Sequence, residues 1–126
     1  MLDGFHHASL AVADVPRAVS FYQEVLGFEP VGPDDPTNDV ETATDYWLAA
    51  GADEWVLLAD RPDATPDHDE RDDPHLAFRA DEAAIRRVRT RLTDRDVPHR
   101  TVETGVYFHD PAGNYLEVTN WEGPEP

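Results

Sequence analysis

The sequence predicts an α+β fold built from two consecutive β-α-β-β-β modules. The first indication is a strand, a helix-spaced apolar pattern and three more strands within residues 4–60. The second is that the same order returns in residues 75–120. The third is that residues 61–74, between the two, are rich in Pro and Asp and cannot build a core. We therefore predict one domain, with module one at 1–60, a linker at 61–74 and module two at 75–122.

Module one begins with a strand in residues 4–13, in which Ala8, Leu10 and Val12 share one face. Asp14 is the predicted N-cap of a helix that ends at Gly27. The helix is expected to bury Val15, Val19, Tyr22 and Leu26. Three further strands are predicted at 28–31, 42–50 and 54–60, the last two forming a hairpin.

Module two begins with a strand in residues 74–80, followed by a helix that Asp81 caps. The helix is expected to bury Ala84, Ile85, Val88 and Leu92 and to turn its arginines outward. Three more strands are predicted at 97–102, 105–108 and 115–120. Because one such module has an open sheet face and unpaired edges, we expect the two modules to pair into a cupped mixed sheet.

The charge balance excludes several classes of function. The chain has 126 residues, with 27 acidic against 10 basic side chains and a net charge of −17. Every basic residue is Arg, and no basic patch suited to nucleic acid is expected, since phosphate contacts dominate that affinity. The absence of Cys excludes disulfides and thiolate ligands. The acidity resembles that of haloarchaeal proteins in general, whose surface charge is screened by salt.

No segment of the sequence indicates a membrane. No apolar run approaches the ~20 residues that a transmembrane helix requires. The N-terminal residues lack the basic and apolar regions of a secretory signal. We therefore expect a cytoplasmic protein.

The C-terminal hairpin places a carboxylate in the middle of a strand. Residues 110–114, Asp-Pro-Ala-Gly-Asn, have the composition of a tight turn between two strands. In the returning strand, Leu116 and Val118 share one face, and Glu117 lies on the other. Two interpretations are open. Glu117 belongs either to an edge strand in water or to a buried strand, where an unpaired charge would be costly.

Four stretches carry a resemblance to a known family. They are residues 7–14, residues 21–28, residues 75–78 and residues 107–117. In this order and spacing, the chain resembles the vicinal oxygen chelate superfamily. That superfamily contains glyoxalase I, extradiol dioxygenases, fosfomycin-resistance enzymes and bleomycin-binding proteins.

The resemblance implies that His7, His75 and Glu117 are metal ligands. In each of the three strands the candidate ligand lies opposite the aliphatic face, so all three are expected to face the same cavity. Two imidazoles and one carboxylate suit iron, manganese, zinc or nickel as the divalent cation. A small substrate with two adjacent oxygens would chelate that cation. At the first-module position equivalent to Glu117 stands Leu57, so the fourth ligand of glyoxalase I is missing, and a dioxygenase or lyase is favoured.

Other site residues are assigned by the same resemblance. Glu117 and Tyr107 are the candidate catalytic groups, and Ser9, Tyr107 and Trp47 are candidate substrate contacts. For a dioxygenase, His109 and Tyr115 are candidate acid or base groups. Fosfomycin itself is disfavoured as a substrate because the chain has no Lys to hold a phosphonate, ends at Pro126 without a later Arg and has a short loop before Tyr107. His6 is expected on the opposite face from His7, in a structural role.

Two alternatives stay open at this stage. A metal-free binding protein of the bleomycin-resistance type would hold an aromatic ligand between the modules. A pseudo-enzyme would keep the ligand residues for stability alone. For the metal enzyme a homodimer is expected, with two complete sites side by side or with exchanged modules.

Overall fold

The computed structural model describes residues 1–63 and 74–125. The chain divides into two compact units, Met1–Pro66 and Asp67–Pro126. Each unit has the predicted β-α-β-β-β order, which confirms the α+β class and the two modules. Most of the predicted linker lies outside the described residues. The grouping of the two modules into one domain, and their pairing, stay predictions.

The first unit is a four-stranded mixed sheet with one helix. Its elements are β1 (His7–Val12), α1 (Val15–Leu26), β2 (Glu29–Gly32), β3 (Asp45–Ala49) and β4 (Trp55–Asp60). The strand order is β1-β4-β3-β2, with β1 parallel to β4 and the other pairs antiparallel. Helix α1 packs against β2, β3 and β4.

Helix α1 begins and ends where the sequence predicts. The Asp14 carboxylate accepts a hydrogen bond from the Arg17 amide at 3.1 Å, which satisfies one of the free amides of the first turn. Gly27 ends the helix in the left-handed region at φ 73°. The prediction that Leu26 is buried is wrong. Val25, at 0% exposure, takes that place, and Leu26 is half-buried at the edge of the apolar stripe in the last turn.

The second unit repeats this arrangement. Its elements are β5 (Leu76–Arg79), α2 (Glu82–Asp94), β6 (His99–Val102), β7 (Gly105–His109) and β8 (Tyr115–Thr119). The strand order is β5-β8-β7-β6, with β5 parallel to β8. Asp81 caps α2 by accepting a hydrogen bond from the Ala84 amide at 2.8 Å. The helix buries Ile85, Val88 and Leu92, whereas Ala84 is only half-buried.

Strand β8 is central to the second sheet, and all five of its residues are buried. It lies between β5 and β7 and is therefore hydrogen-bonded on both sides. The edge-strand interpretation of Glu117 is thus wrong, and the buried interpretation is confirmed. Within the described ranges, neither helix has the length and apolarity that crossing a bilayer requires.

The turn before β8 is organised by a buried carboxylate. Asp110 is 4% exposed, and its Oδ1 accepts hydrogen bonds from the amides of Ala112 and Asn114, both at 2.9 Å. The Asn114 side-chain amide donates to Asp110 Oδ2 at 2.9 Å. Gly113 has φ 92°, the positive value that the turn composition predicts. These bonds fix the register in which β7 and β8 pair.

Candidate metal centre

One row of paired residues crosses the second sheet at Glu117. On β8, Glu117 lies opposite Ala77 of β5 on one side and opposite Tyr107 of β7 on the other. Tyr107 in turn lies opposite Arg100 of β6. Directly paired residues on one row point to the same face of a sheet. The carboxylate, the phenol and the guanidinium are therefore neighbours on one face.

His75 completes this group from the residue just before β5. Its Nε2 lies 2.9 Å from Glu117 Oε1, although 42 positions separate the two residues along the chain. The Glu117 side chain is 12% exposed and that of His75 is 33% exposed. The buried carboxylate therefore has an imidazole partner, as its burial requires.

The chemistry and spacing of this pair fit a divalent cation. Imidazole nitrogen and carboxylate oxygen are the donors that zinc, manganese and iron accept. Two donors at about 2.1 Å from one cation and at right angles to each other lie about 3 Å apart. The separation of 2.9 Å between His75 Nε2 and Glu117 Oε1 is that of a hydrogen bond, and it is also close to the spacing of two adjacent ligand atoms in octahedral geometry. Within either unit, the described residues contain no group of three such side chains arranged to hold a metal.

Tyr107 is held in its neutral form. Burial raises the pKa of its phenol, and the negative charge of Glu117 and a hydrogen bond to that carboxylate raise the pKa further. The positive charge of Arg100 opposes this rise. A phenol with a raised pKa keeps its proton at neutral pH. Tyr107 is therefore suited to donate a hydrogen bond and unsuited to act as a base.

The Tyr107→Phe variant should lose one titration step at high pH. An ordinary tyrosine loses its proton near pH 10. Because the pKa of Tyr107 is raised in the folded protein, its phenolate forms at a higher pH than that. A raised pKa also means that folding loses stability as pH rises from the unfolded to the folded pKa, and Tyr107→Phe should reduce that loss. Phenolate absorbance at 295 nm and alkaline unfolding curves measure both effects. An unchanged high-pH step in Tyr107→Phe would contradict the assignment.

Aromatic rings and one cation surround the pair. The Arg100 guanidinium lies 4.6 Å from the centroid of the Tyr107 ring, and its Nη2 donates to the Tyr115 hydroxyl at 3.3 Å. The His75 ring lies edge-on to both tyrosines, with centroids 5.4 Å and 5.7 Å away. His109 stacks on Tyr115 at 4.7 Å. The ring contacts restrict the orientation of the His75 imidazole.

The first unit brings together a second group of candidate residues. Ser9 on β1 lies opposite Leu57 on β4, which lies opposite Trp47 on β3. The His7 ring lies edge-on to Trp47, with centroids 5.0 Å apart. The Trp47 indole N–H donates to Asp34 Oδ1 at 2.6 Å, which fixes that ring.

The registers of the two sheets are equivalent. Ser9 pairs with Leu57 as Ala77 pairs with Glu117, so Leu57 occupies the position in the first sheet that Glu117 has in the second. Counting back two residues from Ser9 and from Ala77 gives His7 and His75. The two histidines therefore occupy equivalent positions, His7 at the start of β1 and His75 directly before β5. Leu57 stands where the fourth ligand of glyoxalase I, a carboxylate, would be.

The structure thus forms two groups from the six predicted site residues. His75, Tyr107 and Glu117 are in mutual contact in the second unit. His7 contacts Trp47 in the first unit, and Ser9 shares the row of Trp47. The groups belong to separate units, and the joining of His7 to the His75–Glu117 pair stays a prediction.

Two neighbours of the site were not found from the sequence. Arg100 follows from the register of the β6–β7 hairpin, because a two-residue turn at Glu103 and Thr104 places Arg100 opposite Tyr107. The prediction that His6 faces away from His7 is wrong. His6 precedes β1, so strand alternation does not govern its ring, and its Nδ1 lies 2.9 Å from Nδ1 of His7.

Comparison with known proteins decides the family. Residues 4–118 match the model of the Glyoxalase/Bleomycin resistance protein/Dioxygenase superfamily. The chain belongs to this superfamily. The resemblance drawn from its four sequence stretches is thereby confirmed at the level of the family.

The chain is similar to a metallothiol transferase in sequence and to fosfomycin resistance proteins in fold. The chain is 29% identical to the metallothiol transferase FosB of Shouchella clausii, over 94% of this chain and 80% of that protein. The fold is similar to that of the fosfomycin resistance protein FosX from Mesorhizobium loti, with a TM-score of 0.77, 21% identity and coverage of 96% and 94%. A mutant of FosX from Listeria monocytogenes was solved in complex with Mn(II) and a dihydroxypropylphosphonic acid. Its TM-score is 0.72 at 19% identity, with coverage of 96% and 94%.

Proposed function

We propose that this protein is a divalent-metal-dependent enzyme whose small substrate chelates the metal through two adjacent oxygens. The observation that carries the proposal is the 2.9 Å contact between His75 Nε2 and Glu117 Oε1 on a buried strand. These two residues and His7 would hold the cation. Iron, manganese, zinc and nickel all suit the donor set. The manganese in the FosX structure and the name of FosB as a metallothiol transferase support metal dependence.

Each residue near the pair has a defined task in this proposal. A bound cation would supply Lewis acidity toward the substrate oxygens. Glu117 would bind the cation beside His75 and supply the negative charge. Tyr107 keeps its proton and donates it in a hydrogen bond to Glu117, which orients that carboxylate, and its ring would contact the substrate. Ser9 and Trp47 would contact the substrate from the first unit.

Leu57 favours some reactions of the superfamily over others. In the isomerisation that glyoxalase I catalyses, the fourth ligand is a carboxylate that would take part in proton transfer. Leu57 occupies that position and has no group that replaces it. We therefore favour dioxygenase or lyase chemistry over that of glyoxalase I. The name of the FosB relative adds thiol transfer to the candidate reactions.

A fosfomycin-type activity is the second candidate, and Arg100 favours it. One of the three sequence arguments against this activity was the lack of a Lys to hold the phosphonate; the other two, the lack of a later Arg and the short loop before Tyr107, are unaffected. The Arg100 guanidinium, 4.6 Å from the Tyr107 ring, supplies a cation on the row of Glu117. A guanidinium binds phosphoryl oxygens in a bidentate manner.

Metal incorporation by the full chain is the decisive experiment. Protein purified without chelator, or reloaded with iron(II), manganese(II), zinc or nickel, should hold about one ion per chain. The His7→Ala variant should bind the metal more weakly, because His7 would be the third ligand. The loaded protein is then assayed with a catechol, with a hemithioacetal and with fosfomycin plus a thiol. Elemental analysis and isothermal titration give the stoichiometry.

The alternatives predict other outcomes. Absence of stoichiometric metal after reloading would favour the bleomycin-resistance-like binding protein. Metal-dependent melting without turnover would favour the pseudo-enzyme. The homodimer, the cytoplasmic location and the salt-adapted, haloarchaeal character stay predictions. Size-exclusion chromatography and melting curves in rising KCl concentration test the first and the last of these.

A further inference from the structure

We propose that His6 is a positioning residue for His7, holding its imidazole in the tautomer and orientation that a metal ligand requires. This inference rests on the proposed function, in which His7 is one of the ligands. It assigns a task to an exposed side chain that lies just before β1.

The two imidazoles share one hydrogen bond. Nδ1 of His6 lies 2.9 Å from Nδ1 of His7, and the rings are nearly perpendicular at 84°. In a bond between two ring nitrogens, one carries the proton and the other offers its lone pair. The Nδ1 atom of His7 is therefore engaged with His6, and its Nε2 is the nitrogen left for another partner.

Two tryptophans keep both rings in place. The His6 ring lies against Trp55 with centroids 4.9 Å apart, and the His7 ring lies against Trp47 at 5.0 Å. The His6 backbone is also fixed, because its carbonyl accepts a hydrogen bond from the Trp55 amide at 3.2 Å. This bond belongs to the first pair of the β1–β4 ladder, His7 with Trp55. An exposed hydrogen bond gains persistence when both partners are held by neighbouring groups.

The chemistry of ligation requires one of the two His7 tautomers. An imidazole that binds a metal through Nε2 carries its proton on Nδ1, and an acceptor at that proton fixes the tautomer and raises ligand basicity. When His6 carries its own proton on Nε2, its Nδ1 is such an acceptor, 2.9 Å from Nδ1 of His7. Without it, His7 would populate the other tautomer and a wider range of ring angles. Metal binding would then have to restore the tautomer with the proton on Nδ1 and narrow the range of ring angles, which would lower the metal affinity.

The first test is metal affinity of the full chain. Zinc affinity is measured by competition with a chromophoric chelator for wild type and for His6→Ala. We expect affinity about 10–100-fold weaker in His6→Ala, the range for loss of a partner that orients a ligand. His6→Gln, whose amide oxygen can accept the His7 proton, should recover part of the loss. His99→Ala is the matched control, since the His99 ring bonds the Val97 carbonyl in the second unit.

The second test observes His7 without any metal. Long-range ¹H–¹⁵N correlation spectra of the ring nitrogens should show His7 with its proton on Nδ1 in the wild type and a mixture of tautomers in His6→Ala. Circular dichroism and melting curves check that the variant is folded. Unchanged zinc affinity, or an unchanged His7 tautomer in a folded variant, would overturn the proposal. So would a zinc-induced loss of the proton on His6 Nε2, because His6 would then be a ligand itself.

The two tests also separate this inference from the proposed function. If the wild type binds no metal, the proposed function fails, and positioning for a metal fails with it. The tautomer of His7 in the metal-free protein still decides whether His6 holds that ring. If the wild type binds metal and His6→Ala binds it equally well, only the inference about His6 is lost.

Discussion

The Glu117→Gln variant should lose divalent-metal binding while keeping its fold. Glutamine has the shape of glutamate and still hydrogen-bonds His75, but it lacks the negative charge that a cation requires of this ligand. Loss of a group that only orients a ligand lowers metal affinity by about 10–100-fold. Glu117 would be a ligand itself, so we expect a fall of at least about 100-fold. Isothermal titration with manganese(II) or zinc measures the change. Turnover of any substrate found should fall with it.

The same variant has a second readout, at Tyr107. The charge of Glu117 and the hydrogen bond to its carboxylate both raise the pKa of the Tyr107 phenol. In Glu117→Gln, the pKa of Tyr107 should therefore move down toward the ordinary tyrosine value. Glu103→Gln is the matched control, because Glu103 is exposed in the turn between β6 and β7. Full metal affinity in Glu117→Gln would contradict the assignment of this residue as a ligand.

The Asp110→Ala variant should be strongly destabilised. The Asp110 carboxylate is 4% exposed and accepts three hydrogen bonds, from two backbone amides and from the Asn114 side chain. A donor left without a partner away from water costs about 1–3 kcal/mol, and Ala112 and Asn114 are half-buried, so we expect a loss of about 3 kcal/mol in total. Urea unfolding followed by circular dichroism gives the free energy of unfolding. Metal affinity should fall as well, since this turn sets the pairing of Tyr107 with Glu117.

Two comparison variants make the Asp110 result specific. Asp110→Asn keeps an oxygen that accepts from the amides of Ala112 and Asn114 and should lose a smaller part of the stability. Asp53→Ala changes an exposed loop aspartate and should stay within about 0.5 kcal/mol of wild type. Equal stability of Asp110→Ala and Asp53→Ala would show that the turn is held by its backbone bonds alone, contrary to our expectation.

Local patterns predicted the helices and their ends well. An aspartate before each apolar-periodic segment was predicted to cap a helix, and Asp14 and Asp81 both do so. Gly27 was predicted to end α1 and does. These features depend on residues within one turn of each other, so a single sequence contains them. Leu26 was predicted to be buried but is half-buried. The end of an apolar stripe depends on what packs against it, which a single sequence does not show.

Part of the candidate site was also predictable. Strand alternation placed Glu117 opposite the aliphatic face of β8, and the repeat of the module placed His7 and His75 at equivalent positions. Alternation gave no information on whether β8 is central or at an edge, and hence none on whether Glu117 is buried. It also failed for His6, which lies outside the strand and contacts the ring of His7.

The sequence by itself determined the two modules, the helix caps, the turn at residues 110–114 and the acidic surface. It did so because each depends on neighbours in the chain or on composition. Only the tertiary structure decided that β8 lies between β5 and β7, that His75 and Glu117 meet at 2.9 Å, and that Arg100 lies beside Tyr107. Strand order and side-chain contacts depend on pairings between distant segments, and the periodicity of a single segment does not encode them.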